Sequence, residues 1–177
     1  MTRHWVALPL LLLLGCMASV SQVHERHRRY EESEYAPYTS RGTGDLEGQA
    51  RAKNRWGDIR YAYEDTVYLF PATPYTDEWW DRTLIGGEYL TDPDPRSLSF
   101  MRRRVADREG RFWFENLPAG DYYIVCTIMW DVYGGDRPVQ VMNLGKRVHV
   151  GPGESLHVTL DPVSAHRALI DPPALGP

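Results

Sequence analysis

Two histidines near the end of the chain have a spacing that could bind a metal ion. His149 and His157 lie on either side of the turn-forming stretch Gly151–Gly153. If the flanking segments form a hairpin in which Val150 pairs with Leu156, the two imidazoles lie opposite each other on its outer face. Imidazoles in that position are ligands for zinc or copper, but a stable site needs at least a third ligand. No third ligand has a fixed position in the sequence, so the pair is only a candidate and we predict no cofactor.

A second group that could bind a ligand is a set of aromatic side chains. Tyr75, Trp79, Trp80 and Tyr89 lie in a long segment, residues 75–98, that has no strand pattern. Loops of that length in compact domains are often functional, and exposed aromatic rings stack on sugars or anchor protein partners. The same rings could instead fold over the core and cap its open edge. We predict a binding loop, with capping as the alternative.

Carboxylates accompany these aromatic residues. Asp77, Glu78 and Asp81 surround the two tryptophans, an arrangement that suggests a glycosidase. Glycoside hydrolysis needs two carboxylates at a defined separation, and the sequence defines no second group. It also contains no catalytic triad spacing, nucleophile elbow or phosphate-binding loop. We therefore predict a protein without catalytic residues, and a hydrolase with an unrecognised site is an alternative.

The first residues have the pattern of an export signal. A short basic start containing Arg3 precedes an apolar run over residues 5–14. This run is too short to cross a hydrocarbon core of about 30 Å, so it predicts a cleaved signal and not a permanent membrane helix.

The end of this run resembles the lipobox of bacterial lipoproteins, in the residues Leu13-Leu14-Gly15-Cys16. In that family the cysteine sulfur carries a diacylglycerol and the preceding peptide is removed. The resemblance implies a signal peptide over residues 1–15 and a membrane anchor through lipid on Cys16. Met17 at the next position implies sorting to the outer membrane, with the protein facing the periplasm. The alternative is an ordinary signal peptide with a cysteine in its cleavage region.

Charge and cysteine content limit the remaining possibilities. The 177 residues carry a net charge of −4 and have a pI near 5.9, which argues against nucleic acid as a partner. Lipidation of Cys16 would leave Cys126 as a single thiol in an apolar strand, so we predict a buried, unreactive side chain and no disulfide.

The composition divides the chain into segments. Residues 16–43 are polar and charged without apolar periodicity, which predicts a flexible tether. Residues 44–162 form the folded domain, and residues 163–177 form a proline-rich tail. Short apolar stretches in the domain are separated by Gly, Pro, Asp and Asn, the pattern of an all-β fold. The predicted strands are Leu46–Lys53, Thr66–Pro71, Ser99–Ala106, Arg111–Glu115, Asp121–Trp130, Val139–Met142, Arg147–Val150 and Leu156–Leu160.

One segment of the domain is similar to a known family. The sequence DREGRFWFENLPAGDY, from Asp107 to Tyr122, resembles the carboxypeptidase regulatory-like family of transthyretin-like modules in its turn, paired aromatics, Leu-Pro, Gly and Tyr. The resemblance implies a seven-stranded Greek-key β-sandwich, with residues 75–98 as a long aromatic insertion. It implies no catalysis, since such modules serve in folding, spacing or binding.

These observations lead to one functional prediction and its alternatives. We predict a non-enzymatic, membrane-anchored cell-envelope lipoprotein whose β-sandwich binds or scaffolds another envelope component, a protein or a glycan. The alternatives are a carbohydrate-binding module that uses the insertion loop and the hydrolase considered above.

Overall fold

The structure is a computed structural model that describes residues 22–53, 57–131 and 139–163. The predicted signal peptide, Cys16 and nearly all of the predicted tail lie outside the described residues. None of the described helices has the length and apolar character to cross a bilayer. The described chain is mostly β, so the all-β prediction is confirmed at this level. The seven-stranded Greek-key arrangement stays a prediction.

The strands vary from two-residue bridges to long central strands. In chain order they are β1 Val23–His24, β2 Gly44–Lys53, β3 Ile59–Tyr61, β4 Thr66–Pro71, β5 Tyr89–Leu90, β6 Arg102–Val105, β7 Arg111–Leu117, β8 Gly120–Asp131, β9 Val139–Val150 and β10 Ser155–Pro162.

Short helices interrupt the strands in two places, before β2 and between β4 and β6. They are α1 Glu32–Tyr35, a 3₁₀ turn Ala36–Tyr38, α2 Pro74–Trp79, a π-helical turn Trp80–Ile85 and α3 Pro95–Leu98.

Eight of the strands form one curled, mixed sheet in the order β3-β2-β10-β9-β8-β4-β6, with β7 also paired to β2. Residues 155–160 of β10 run parallel to β2, and Asp161 and Pro162 then pair with β9. The strand β10 therefore connects two halves of the sheet. We call them the β2 half (β2, β3, β7 and the start of β10) and the β8 half (β4, β6, β8 and β9).

The hydrophobic core lies between the two halves. The β2 half contributes Leu46, Phe112 and Phe114, and the β8 half contributes Leu69 and Ile124, all essentially inaccessible to solvent. The aromatic pair follows the predicted alternation, because Arg111 and its alternate neighbours on β7 are exposed. The strand β8 pairs on both sides, with β4 and β9, as its two apolar faces predict.

The turn before β7 requires a glycine. Gly110 has φ of 70°, and a Cβ at this position would collide with the carbonyl oxygen of Ala50. Gly110 therefore closes this turn in a conformation that favours glycine.

The two strands predicted over residues 139–142 and 147–150 are one continuous strand, β9. The intervening Asn143-Leu144-Gly145 has the composition of a turn but forms part of the strand. Leu144 is buried in the core, and Gly145 gives space to Trp80, since a Cβ there would lie 2.9 Å from the Trp80 Cη2 atom. Gly145 is a glycine because the Trp80 ring packs closely against this strand, not because the chain turns here. The predicted break between the two strands is therefore wrong.

The predicted hairpin between residues 148–150 and 156–158 does not form. After the turn at Gly151–Gly153, β10 leaves β9 and pairs in parallel with β2, with Leu156 opposite Leu46. The proposed juxtaposition of His149 and His157 is therefore wrong.

The prolines that precede β6, Pro93 and Pro95, do not prevent a helix there. The helix α3 begins at Pro95, where a missing N–H costs nothing because the first helical turn has no acceptor for it. Asp94 caps the helix by accepting a hydrogen bond from the Arg96 N–H. A second helix, α2, likewise begins at a proline, Pro74, behind the capping residue Thr73.

The prediction of a flexible tether is wrong for residues 22–43, which pack on the domain. Tyr35 is fully buried and stacks between Tyr30 and Phe100. Tyr38 accepts a hydrogen bond from the Asp121 N–H and donates one to its carbonyl oxygen. Scattered tyrosines, with no helical or strand period, provide these contacts, and a search for periodicity does not detect them.

Candidate functional site

The outer face of the β2 half is open to solvent and carries an exposed tryptophan. Trp113 on β7 is 52% exposed, although its neighbours in sequence, Phe112 and Phe114, are buried. The strand register places Glu47 of β2 beside Trp113, and His157 of β10 beside Glu47. Trp113, Glu47 and His157 thus form a row across three strands. We call the surface around this row the Trp113 face.

A second row lies one repeat along the strands. Arg111 on β7 pairs with Gln49 on β2, and Gln49 pairs with Thr159 on β10. The Gln49 amide donates a hydrogen bond of 2.7 Å to the carbonyl of Glu109. This row therefore presents a guanidinium, an amide and a hydroxyl beside the indole ring.

A second exposed aromatic residue extends the face along the edge of β2. The N–H of Ala50 donates to the Gly110 carbonyl, and its carbonyl accepts from the Ala62 N–H. In an antiparallel pair, the N–H and the C=O of one residue point to the same edge of its strand. The strands β7 and β3 therefore both pair with the same edge of β2, one after the other along its length. Tyr61 on β3, 39% exposed, pairs with Arg51 and shares the outer face. Arg51 lies four residues beyond Glu47, so the two rings are separated by about 14 Å along the strand direction.

The charges of the Trp113 face are mixed and largely exposed. His157 Nδ1 lies 3.5 Å from a carboxylate oxygen of Glu47. Arg111 forms ion pairs with Asp107 and Glu109 in the preceding turn. Hydrogen bonds from the Arg111 N–H and guanidinium hold the pKa of Asp107 below its usual value. A flat aromatic ring with several donors and acceptors nearby can stack on a sugar ring and bind its hydroxyl groups.

The predicted binding residues of the insertion lie on the opposite side of the molecule, over the β8 half. The Trp80 ring stacks on Tyr123 with centroids 4.3 Å apart and planes at 16°. The Trp79 ring meets Phe70 edge-on at 5.4 Å. Both tryptophans are half-buried, so a large part of each ring is committed to packing against the sheet.

The other two predicted residues occupy structural positions in the same cover. Tyr75 is buried, and its hydroxyl accepts a hydrogen bond of 2.7 Å from the Asp94 N–H. Tyr89 begins β5 and pairs in register with Val23 of β1. The insertion and the segment before β2 therefore form a cover on the β8 half, and Tyr75 is not available as a binding residue.

The carboxylates of the insertion have internal partners. Asp77 accepts a hydrogen bond of 2.7 Å from the Tyr123 hydroxyl. Glu78 is only 6% exposed and accepts hydrogen bonds from the N–H groups of His27 and Arg28 and from the Arg82 guanidinium. Burial acts to raise the pKa of Glu78, but these hydrogen bonds outweigh it and lower the pKa. Glu78 fastens the N-terminal segment to the insertion and has no free oxygen for acid–base chemistry.

The two candidate metal ligands are separated in the fold. His149 pairs in register with Asp121 and contacts its carboxylate at 2.8 Å, whereas His157 contacts Glu47 on the other half. Within the described ranges, no three His, Cys, Asp or Glu side chains converge on a position for a metal ion. Cys126 is buried, and its burial raises its thiol pKa to about 12.

The sheet also has an open cleft between the edge strands β6 and β7. Its volume is about 450 Å³, and it adjoins the end of the Trp113 face at Glu115. Its lining consists of Tyr38, Thr39, Ser40, Arg41, Arg102, Arg104, Glu115 and Asn116.

The sequence contained a signal for the residue that the functional prediction missed. The alternation that places Phe112 and Phe114 in the core also turns Trp113 outward, to the face that is open to solvent. Aromatic residues are more numerous in the insertion, and their number instead favoured the insertion as the binding surface. The position of Tyr61 on the same face has no local sequence signal, because the placement of β3 beside β7 depends on long-range pairing.

Comparison with known proteins gives one informative similarity. No protein-family model matches the chain, and no curated protein matches it. A crystal structure of a Pseudomonas aeruginosa protein that has been proposed to bind carbohydrate is similar, with 26% sequence identity and a TM-score of 0.66. The similar region covers 75% of this chain and 97% of that chain.

Proposed function

We propose that the protein binds carbohydrate, on the Trp113 face, without catalysing a reaction. The exposure of Trp113 on an otherwise polar sheet surface carries the proposal. A ring that is half accessible contributes less to core packing than a buried ring, whereas it offers a flat apolar platform to a ligand. The similarity to a structure proposed to bind carbohydrate supports the same class of function.

The neighbours of Trp113 suit the polar part of a sugar. A pyranose stacked on the indole would lie beside the Glu47 carboxylate and the His157 imidazole, which follow Trp113 across the strands. Arg111, two residues before Trp113 on β7, would lie beside it along the strand. Charged acceptors and donors of this kind bind hydroxyl groups strongly. Tyr61, about 14 Å further along, provides a second platform, so the face fits an oligosaccharide better than a monosaccharide.

The experiment that tests this proposal compares three variants on a glycan array, followed by calorimetry on the best binder. Trp113→Ala should lower affinity by about tenfold or more, because an aromatic ring that stacks on a ligand typically contributes about 1–3 kcal/mol to the binding free energy. Tyr61→Ala should reduce the affinity for long glycans more than for short ones. Trp130→Phe, on the core side of β8, is the matched control and should bind like wild type. Unchanged binding by Trp113→Ala would place the ligand elsewhere.

We also propose that lipid on Cys16 anchors the protein to a membrane, with the outer membrane as the expected site. The support is the lipobox-like sequence before Cys16 and the Met at position 17. Two or three acyl chains would hold the protein far more firmly than one. Cys16→Ser should abolish incorporation of labelled fatty acid and leave a precursor of higher mass. Two results together would contradict the proposal: the Cys16→Ser variant still fractionates with membranes, and mass spectrometry finds no lipid on the wild-type protein.

We further propose that seven of the eight strands of the curled sheet form the Greek-key β-sandwich of carboxypeptidase regulatory-like modules. The segment that carries the resemblance supports this: Gly110 turns with positive φ, Phe112 and Phe114 fill the core, and the Tyr122 hydroxyl donates a hydrogen bond of 2.7 Å to the Pro118 carbonyl. Strand pairings measured by inter-strand nuclear Overhauser effects test it. A strand order that differs from that of the family would contradict it.

A further inference from the structure

The cleft between β6 and β7 is bounded by two edge strands. Among the described strands, β6 pairs only with β4, and β7 pairs only with β2. The two strands meet at the turn around Gly110 and diverge from it. The gap between them is spanned by Arg102, whose guanidinium donates a hydrogen bond of 2.9 Å to the Glu115 carbonyl.

Two arginines of β6 lie on the side of the strand that faces the core. The register pairs Arg102 with Leu69 and Arg104 with Val67, and both of those partners are fully buried. Cross-strand neighbours share a face of the sheet, so Arg102 and Arg104 project over the cleft. The guanidinium of Arg104 lies 5.8 Å from the ring centroid of buried Phe114.

A third arginine reaches the cleft from the N-terminal segment. Arg41 donates two hydrogen bonds, of 3.0 and 2.7 Å, to the side-chain oxygen of Asn116. In the described part of the chain, no carboxylate lies within ion-pair distance of Arg41, Arg102 or Arg104. Glu115 is the one carboxylate of the cleft lining. Three guanidinium groups without a counter-ion thus share one cleft of a protein whose net charge is −4.

Charged residues on an edge strand also have a purely protective use, because they prevent pairing with another chain. Such protection requires charges on β6 alone. It does not require Arg41, which comes from a separate segment, or the neutral acceptors that hold Arg41 and Arg102 in position. Guanidinium groups held by neutral oxygens keep other N–H groups for an anion such as a carboxylate or a sulfate ester.

The cleft is continuous with the Trp113 face. Glu115, which lines the cleft, lies two residues from Trp113 on the same side of β7, a distance of about 7 Å. A ligand stacked on Trp113 could therefore extend into the cleft across Glu115.

We propose that Arg41, Arg102 and Arg104 form an anion-binding subsite, and that the glycan bound on the Trp113 face is acidic, with its carboxylate or sulfate group in this cleft. This inference rests on the proposed function, because Trp113 would bind the neutral ring of the same ligand. It narrows the ligand class from carbohydrate in general to acidic oligosaccharides.

The test uses glycans in matched pairs, such as oligogalacturonate and its methyl ester, on an array and then in calorimetry. Wild type should bind the acidic member at least about tenfold more tightly than the neutral one. Arg102→Gln with Arg104→Gln should remove this preference, whereas Trp113→Ala should weaken both members. Arg60→Gln with Arg103→Gln, which changes the net charge equally but outside the cleft, is the control and should keep the preference. If the Arg102→Gln, Arg104→Gln double variant does not accumulate in folded form, Arg41→Gln, at the surface, replaces it and should reduce the preference for the acidic glycan.

A second measurement tests the subsite without any glycan. Inorganic sulfate, titrated into the full-length protein, should shift the arginine Nε–Hε NMR signals of Arg41, Arg102 and Arg104 more than those of Arg60 and Arg103. Equal binding of both glycan members, or sulfate shifts spread evenly over all arginines, would overturn the acidic-ligand inference while the proposed function stands. Sulfate binding in the cleft without any glycan binding would instead contradict the proposed function and keep the anion subsite.

Discussion

The two outer faces of the curled sheet differ in what covers them. The β8 half presents Phe70 and Tyr123 outward, and the insertion lays Trp79 and Trp80 over these rings. The β2 half has no such cover in the described residues, and its outward positions on β2 are polar or charged. One face is closed by aromatic contacts within the chain, and the other is open to a ligand.

The difference shows why the number of aromatic residues is a poor guide to a binding surface. A strand that is apolar on both sides, such as β8, needs a cover on each side, and the aromatic rings of the insertion meet that need. The outward side of β2 needs no cover, because Glu47 and Gln49 can remain in water. Trp113 on that surface is 52% exposed, so more of this residue is open to a ligand than of the buried or half-buried aromatic residues of the insertion.

The largest effect is expected on the covered face. Trp79→Ala combined with Trp80→Ala should lower the free energy of unfolding by about 3–5 kcal/mol, because two large rings lose contacts with Phe70, Tyr123 and Gly145. Thermal and urea melting curves measure this directly. Nearly unchanged stability would mean that the insertion is free to bind a partner, and the contrast between the two faces would then fail.

An intermediate effect is expected where the N-terminal segment is fastened to the insertion. Glu78→Gln replaces a buried carboxylate that accepts hydrogen bonds from the His27 and Arg28 N–H groups and from Arg82. Loss of hydrogen bonds to a charged group should cost about 1–3 kcal/mol. Amide hydrogen exchange at His27 and Arg28 should accelerate more than exchange in the strands. Glu88→Gln, which removes the more exposed partner of Arg82, is the control and should have a smaller effect.

The same group makes stability depend on pH in a defined direction. The pKa of Glu78 in the folded protein is lowered from the ordinary value of 4.5, so folding favours its ionised form. Its contribution is therefore complete above about pH 4.5 and is lost as the pH falls through the lower folded value. Glu78→Gln should flatten the acid side of the stability profile. An unchanged acid profile in Glu78→Gln would show that Glu78 does not hold the cover.

Local sequence patterns predicted the parts of the fold that depend on local physics. The alternation around Phe112 and Phe114, the glycine turn at Gly110 and the two-sided apolar character of β8 each determine structure within a few residues. These features correctly predicted β7, β8 and the burial of Phe112 and Phe114 in the core. They also contained the outward position of Trp113, although its importance became clear only when the polar surroundings were known.

Long-range pairing accounts for the parts that were wrong. The strand β10 has the same apolar alternation whether it pairs with β9 or with β2, so the sequence could not decide between an antiparallel hairpin and a parallel partner. The candidate site inherited that error, because His149 and His157 share a face only in the hairpin. Gly145 was interpreted as a turn residue because Trp80, the ring that needs the space, lies far away in sequence.

The smallest effect on stability is expected on the open face. Trp113→Ala removes a ring that is 52% exposed and has Glu47 as its register neighbour, so little buried surface is lost. Substitutions at exposed sites usually change stability by less than about 0.5 kcal/mol, and a cross-strand pair adds at most about 1 kcal/mol. The melting temperature of Trp113→Ala should therefore stay close to that of wild type, in contrast to the double variant on the covered face. The same protein should bind the glycan selected on the array about tenfold or more weakly than wild type, so that one substitution separates binding from folding. If Trp113→Ala lowers the free energy of unfolding by several kcal/mol, the ring is needed for packing. The main argument for a binding site on the open face would then be lost.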